Sequence, residues 1–398
     1  MLELADRRRP SVLIVGASTR AAAQSAIRAG LNPICADLFA DLDLRACARV
    51  LELADYPRGL VTAAAAAPAC PWMYTGGLEN HPGLVGRISQ ARPLWGNGPD
   101  VLRRVRDPWH VRQLLDEAGL PALQVRPRQP APPAADGAWM IKPLRGAAGR
   151  GIGVWDGSPS HRATLRMPHY FQERRGGTSI SAVYLAAPTQ TYLLGITRQL
   201  IGLKEVHAPP FTWCGTITPV ALPDEIIVAV RKIGDVLTAQ TGLQGLFGCD
   251  FLVADGQPWL TEVNPRYPAS TELVEHVLQV PLVDRHHRAF VVPPSGGAPR
   301  KAPEGGTTNG PVLGKIVLYA DRDLVAPDLA RFVSRPSSWL ETPGTYDRSL
   351  PYLADIPDSG QPISRGQPIC TVFARGKIES ECLARLLRRA ARLERRIP

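Results

Sequence analysis

No run of about eighteen consecutive apolar residues, the length a helix needs to cross a bilayer, occurs in this chain. The first residues carry charge but no apolar core ahead of a cleavage site, which argues against a secretory signal. Cysteine is sparse: seven residues, an odd number without any Cys-x-x-Cys spacing, so reduced thiols and a cytoplasmic location are expected. No Gly-Lys-Ser/Thr follows a glycine-rich loop, which excludes a P-loop, and nothing repeats with a solenoid period. Aromatic platforms interleaved with basic residues are also missing, as is any recognised nucleic-acid module. The formal net charge of +10 therefore does not point to nucleic acid. Much of it lies in Arg385, Arg388, Arg389, Arg392, Arg395 and Arg396. There Leu383, Leu386, Leu387 and Ala390 recur at helical spacing, so these arginines form the solvated face of a packed helix. Attraction of an anionic substrate or an acidic partner is the better reading of the charge.

What the chain does contain is concentrated in two segments. Between Asp250 and Arg266, the apolar runs Phe251-Leu252-Val253 and Trp259-Leu260 flank Asp255-Gly256, which predicts a β-hairpin. Glu262 and Asn264 lie two apart on its second strand and share a face, with Asp250 at the approach to the first. Two carboxylates and an amide suit a hard cation that bridges phosphates, Mg²⁺ rather than zinc or iron. The alternative is that the acids are solvated strand ends and Asn264-Pro265 a turn.

Upstream, Trp139 to Lys142 reads as a short strand, followed by Gly146-Ala147-Ala148-Gly149-Arg150-Gly151-Ile152-Gly153. Four glycines and two alanines in eight residues leave backbone N–H groups uncovered, so the loop can close over a phosphate chain. Lys142 adds a point charge, and Arg145 or Arg150 adds more. A flexible hairpin is the competing reading.

Elsewhere, Ser11 to Gly16 is a continuous apolar strand that leads through Ser18-Thr19-Arg20 into an alanine-rich helix. A second strand ends at Asp37, but one glycine of the three expected makes the dinucleotide fingerprint weak. The helix start at Ser18 and Thr19 offers an anion site, or is a plain βα turn. Thr75-Gly76-Gly77-Leu78-Glu79-Asn80 places Glu79 and Asn80 at the carboxyl end of a strand, where open α/β sheets bind ligands; a capped helix start is slightly favoured. Glu225 to Thr241 carries an amphipathic helical stripe. After Val292 the Pro/Gly-rich 293–310 reads as a linker.

Taken in order, these motifs resemble the ATP-grasp superfamily, over roughly Asp100 to Ala289. The Glu262-Val263-Asn264-Pro265-Arg266 run is most similar to the predicted ATP-dependent carboligase branch related to biotin carboxylase. The resemblance implies an α/β (α+β ATP-grasp) chain with a Rossmann-like domain at 1–99. The two-subdomain ATP-grasp core would span 100–292, with a lid at about 108–171. The linker 293–310 would lead to a small β-rich domain with a terminal helix at 311–398, which covers the active site or mediates a homodimer. ATP with Mg²⁺, or Mn²⁺ in its place, is the implied cofactor pair. Asp250, Glu262 and Asn264 would hold the metal; Lys142, Arg145, Gly146, Gly149 and Gly151 the phosphates; Gln172, Glu173, Arg174 and Arg175 the base. Arg266 and Lys142 would be catalytic. The substrates would be a small carboxylate and an amine, joined through an acyl phosphate, with no membrane and no nucleic acid involved.

Three departures narrow this expectation. Where many relatives carry a second ATP-binding lysine, the chain offers Arg103, Arg104 or Arg106. Where they place a carboxylate on the ribose it has Thr178 and Ser179. Four residues after Arg266 it has Ser270 instead of the glutamate that biotin carboxylases use as a base for bicarbonate. A carboligase using carboxyphosphate, a non-catalytic nucleotide-binding protein and a nicotinamide oxidoreductase read from Gly16 and Asp37 are the rival readings.

Overall fold

The computed structural model describes residues 9–51, 53, 55–129, 131–158, 161, 165–291, 310–333 and 350–397. The expected linker at 293–310 lies outside the described residues except for Gly310.

The first segment is an α/β unit. Strands β1 (Ser11–Gly16), β2 (Asn32–Asp37), β3 (Arg49–Leu51) and β4 (Trp72–Tyr74) form a parallel sheet in the order β3-β2-β1-β4. Strand β1, at the centre, is buried on both faces, which is why it reads as an unbroken apolar run. Helix α1 (Arg20–Arg28) crosses from β1 to β2, and its Ala22, Ala23 and Ala26 let it sit close to the sheet. The short helix α2 (Leu42–Arg45) follows β2.

A four-stranded antiparallel sheet forms the lid: β5 (Val125–Pro127), β6 (Trp139–Pro143), β7 (Gly153–Val154) and β8 (His169–Glu173), in the order β5-β8-β6-β7. Ile141, Trp155 and Phe171 make its small core.

The centre is an antiparallel sheet of eight strands. Five are β9 (Thr178–Ala186), β10 (Thr191–Ile201), β11 (Trp213–Thr218), β12 (Gly245–Ala254) and β13 (Gln257–Asn264). The others are β14 (Val312–Tyr319), β16 (Leu353–Ala354) and β18 (Pro368–Gly376), numbered so that β15 (Leu324–Val325) and β17 (Pro362–Ile363) are the separate two-stranded sheet. The order is β13-β12-β9-β10-β11-β14-β18-β16. Because β14 pairs with β11, backbone hydrogen bonds join the C-terminal segment to the centre.

Alternation along β9 organises the packing. Ile180, Ala182, Tyr184 and Ala186 belong to a core shared with helix α3 (Asp224–Thr241), which buries Ile226, Val230, Ile233 and Leu237. Val183 and Leu185 face the other way, against α1 and the helices that follow β13. The period of two thus sends successive β9 residues to opposite layers. Ser179 and Ser181, on the second face, line a cavity instead of a core. The terminal helix Glu379–Glu394 buries Cys382, Leu386, Ala390 and Leu393, as the apolar spacing there requires.

Candidate active site

The predicted hairpin is β12–β13, turned by Asp255 (φ 52°) and Gly256 (φ 69°). Two consecutive positive φ values match the twist of the paired strands, and glycine supplies one of them without steric cost. The register sets Asp250 opposite Glu262 on one side and opposite Ser181 on the other. A bulge after Asp250 leaves Thr261 as an extra residue. Bulges re-aim side chains; here Glu262 and Asn264 line the same cavity as Asp250. Asn264 Nδ2 donates to Asp250 Oδ2 at 3.1 Å, and Arg266 donates to Asn264 Oδ1 at 3.1 Å.

The two carboxylates titrate in opposite directions. Burial and then the negative charge of Glu262 push Asp250 up to about 6. Burial acts on Glu262 in the same sense, but Arg106, then Lys142 and Arg266, outweigh it and hold its carboxyl below the usual range. Opposite charges nearby favour ionisation, whereas a like charge and desolvation oppose it. The centre therefore lacks positive charge on the Asp250 side, which is where a divalent ion would act. That agrees with the oxygen donor set, two carboxylates and an amide.

The residues expected to hold metal, phosphates and base, together with Arg266, all line one cavity of about 1430 Å³. Lys142, on β6, donates to Gln172 Oε1 at 3.1 Å and to Thr261 O at 3.0 Å, which ties the lid to the hairpin. Arg145 and Arg150 stand exposed on the lid loop without an ion-pair partner among the described residues. Gly149 has φ 76°, and a Cβ there would lie 2.1 Å from the Phe211 carbonyl oxygen, so the lid loop rests directly on the Phe211–Thr212 backbone. Gly146 and Gly151 line the same space. At the far end of the lid sheet the N–H of Glu173 donates to Gln124 O and that of Arg174 to Ala138 O. The Glu173 carboxylate accepts from Gln124 N and from Arg175, whose guanidinium also pairs with Asp255 and stacks 3.8 Å from the Trp259 ring.

Several partners of the site come from the first α/β unit. Arg266 donates through Nε to Glu79 Oε1 at 3.1 Å, and Glu79, only 4% exposed, accepts from Gly77 N at 2.6 Å. Arg106 reaches Glu262 and also donates to Asn80 Oδ1 at 3.0 Å, while Asn80 Nδ2 donates to Gly146 O at 2.8 Å. Glu79 and Asn80 do stand at a helix start, a 3₁₀ turn at Leu78–Asn80 followed by a helix over Pro82–Ser89, but Asn80 does not cap it and both side chains line the site. Of the three candidate arginines only Arg106 enters the site: Arg103 pairs with Asp100, and Arg104 donates to Thr241 O. The anion site read at Ser18 and Thr19 is corrected as well. Asp37 Oδ2 accepts from Thr19 N at 2.5 Å and from Thr19 Oγ1 at 2.8 Å, so a carboxylate of the chain itself occupies that helix start. The same contacts remove Asp37 from any role on a ribose.

Residues 105–270 match the family model for the ATP-grasp domain. Over this stretch the chain is similar to ATP-grasp proteins. The match takes in the lid sheet and the β12–β13 hairpin, the two parts that meet across the cavity. A protein of Methanocaldococcus jannaschii, the uncharacterized protein MJ0776, is 25% identical over 222 residues, covering 54% of this chain. The chain spans only 45% of that relative's length. Solved structures extend the likeness beyond the ATP-grasp domain. An L-amino acid ligase from Bacillus licheniformis superposes with a TM-score of 0.70 at 15% identity, covering 98% of both chains. The ADP complex of N5-carboxyaminoimidazole ribonucleotide synthetase gives 0.68 at 15% identity, over 97% of this chain and 98% of that one. Biotin carboxylase from Campylobacter jejuni gives 0.66 at 13% identity, over 94% and 89%. At these identities the likeness is one of fold, and it includes the flanking segments on both sides of the ATP-grasp domain.

Proposed function

We propose that the protein is an ATP-dependent ligase that joins a carboxylate to an amine through an acyl phosphate. The observation that carries this reading is the convergence of Asp250, Glu262, Asn264, Arg266 and Lys142 on one cavity beneath a glycine-rich loop. When bound, Mg²⁺ would be held by Asp250, Glu262 and Asn264 and would neutralise charge on the β- and γ-phosphates of ATP.

The protein's own part is positioning and charge. Lys142, fixed between Gln172 and Thr261, presents its ammonium to the phosphates, and Arg145 and Arg150 add charge from the lid. Arg106 takes the place of the second lysine that many relatives carry. Its hold on Asn80 and Glu262 keeps it at the mouth of the lid. A substrate carboxylate oxygen attacks the γ-phosphorus, the bond to the bridging oxygen breaks, and ADP leaves. The amine nitrogen then attacks the acyl carbon, loses a proton, and phosphate departs. Arg266, oriented by Glu79 and Asn264, is placed to bind the carboxylate and then the oxyanion of the tetrahedral state. Contact of the lid with Phe211–Thr212 keeps water from the acyl phosphate. Ser270 at the position of the bicarbonate base favours an organic carboxylate.

The test is ADP release by the full chain with pairs of carboxylates and amines. Amine-dependent ADP formation that Glu262→Gln abolishes supports the reading. ATP binding without ADP formation under every pairing would overturn it.

A further inference from the structure

Besides the β12–β13 hairpin, the cavity is lined by residues from the first α/β unit and from the strands after β11, among them Arg20, Leu38, Phe39, Asp41, Lys315 and Asp355. Charge here is out of balance. Glu272 accepts from Arg20 at 2.5 Å and from Lys315 at 2.7 Å, and Arg20 also faces Asp43 and Asp355. Asp37 and Asp41 lie in the same cluster, so five carboxylates surround two cations.

Four of the five carboxylates are satisfied. Asp37 accepts from Thr19, Phe39 N and Ala40 N. Asp43 accepts from Asp355 N and Ile356 N, each at 3.0 Å. Asp355 accepts from Arg20 at 2.8 Å and from Thr371 Oγ1 at 2.5 Å, and Glu272 holds its two cations. Asp41 differs. It is 9% exposed, lines the cavity, and has no side-chain hydrogen bond or ion pair among the described residues. Although it precedes α2, its side chain makes no capping bond to that helix. Burial, then the charges of Asp355, Asp43 and Asp37, push its carboxyl up to about 9. Ionising a buried carboxyl without a donor is costly, and a cation bound beside it removes that cost.

We propose that Asp41, with Asp355 beside it, recognises a cationic group of the substrate that does not itself react, an ammonium or guanidinium on a diamine, polyamine or basic amino acid. The proposal rests on the ligase reading, whose amine substrate it specifies. The reacting nitrogen must be neutral to attack, whereas two carboxylates hold an amine protonated. Hence the group bound here is a recognition handle and not the nucleophile. The principal groups acting on Asp41 are Asp355, Asp43, Asp37 and Arg20; those acting on Asp250 are Glu262, Ser181, Arg266 and Asn264. The two carboxylates thus answer to different sets of neighbours. Leu38, 43% exposed, and Phe39 supply an apolar wall for the methylene stem of such a cation.

Calorimetric titration of the full chain, with Mg²⁺ and a non-hydrolysable ATP analogue present, tests this with matched pairs: lysine and norleucine, arginine and citrulline, putrescine and butylamine. The cationic member of at least one pair is expected to bind about tenfold or more tightly, and Asp41→Asn to bring that ratio within about twofold. Asp41→Ser is expected to do the same, and both variants to melt at or above the wild type, since Asp41 has no partner among the described residues to lose and its ionisation opposes folding. Glu262→Gln, at a residue that is not among the groups acting on Asp41, keeps the ratio. Equal affinities in all three pairs, or a preference that survives Asp41→Asn, would overturn the proposal. Absence of ADP formation with the preference intact would sink the ligase reading and not this site; ADP formation with neutral amines alone would do the opposite.

Discussion

Asp250→Asn is predicted to make the protein more stable while removing its metal affinity. In the free protein Asp250 lies beside Glu262 with its carboxyl raised from 3.8 to about 6, a shift that corresponds to about 3 kcal/mol against ionisation at neutral pH. The cleft is open to solvent, which reduces the usable part to about 1–2 kcal/mol. Asparagine keeps an oxygen to accept from Asn264 Nδ2 and removes the charge. The sign follows from proton linkage. A carboxyl whose folded pKa is raised binds more protons folded than unfolded, so its ionisation lowers stability as pH rises through about 6. At pH 8, melting without ligand should therefore occur about 1–2 °C higher in Asp250→Asn than in the wild type. At pH 5, where the wild-type Asp250 is protonated, the difference should shrink. With Mg²⁺ and an ATP analogue the order reverses at pH 8, because only the wild type gains stability from the bound ion. Differential scanning fluorimetry at the two pH values, with and without ligand, reads all of this. A variant less stable than the wild type at pH 8 without ligand, or a gain that persists undiminished at pH 5, would refute the reasoning.

Two further predictions concern the lid and the ionic network. Gly149→Ala sets a Cβ 2.1 Å from the Phe211 carbonyl oxygen at a positive φ, so closure is strained and nucleotide affinity should fall about tenfold by equilibrium titration. Its melting temperature should barely move, since the loop buries little. Glu272→Gln leaves Arg20 and Lys315 facing a neutral amide in a site where Glu272 is 2% exposed; urea denaturation at pH 7 should show a loss of about 3–5 kcal/mol. The two cations hold the Glu272 carboxyl far below the usual range. Its contribution is therefore present at neutral pH and is lost in acid, where the variant and wild type should converge.

The parts of the site readable in the sequence are those fixed by local pattern. Asp255-Gly256 between two apolar runs dictates a hairpin. Period-two spacing then places Glu262 and Asn264 on one face of it, and dense glycine after a strand dictates a pliable loop. The Glu262–Arg106 and Arg266–Glu79 contacts join residues 156 and 187 apart. They depend on how the first α/β unit docks, which no local spacing encodes. Asp37 reads as a strand-end acid, and its capture of the Thr19 N–H depends on the turn between β1 and α1. The pairing of β14 with β11 is equally unwritten, because both are buried apolar strands with several suitable neighbours. Asp41 and Asp355 carry no motif, and only the folded chain reveals that one of them lacks a partner.

The central claim is that Asp250, Glu262 and Asn264 hold a divalent ion at the phosphates of a nucleotide beneath the lid. Crystals grown with Mn²⁺ and a non-hydrolysable ATP analogue test it by anomalous scattering at the manganese edge. The account predicts a manganese peak about 2.0–2.4 Å from oxygens of Asp250 and Glu262, with phosphate oxygens completing its coordination. Manganese bound elsewhere, or nucleotide bound with no peak between these side chains, would contradict it.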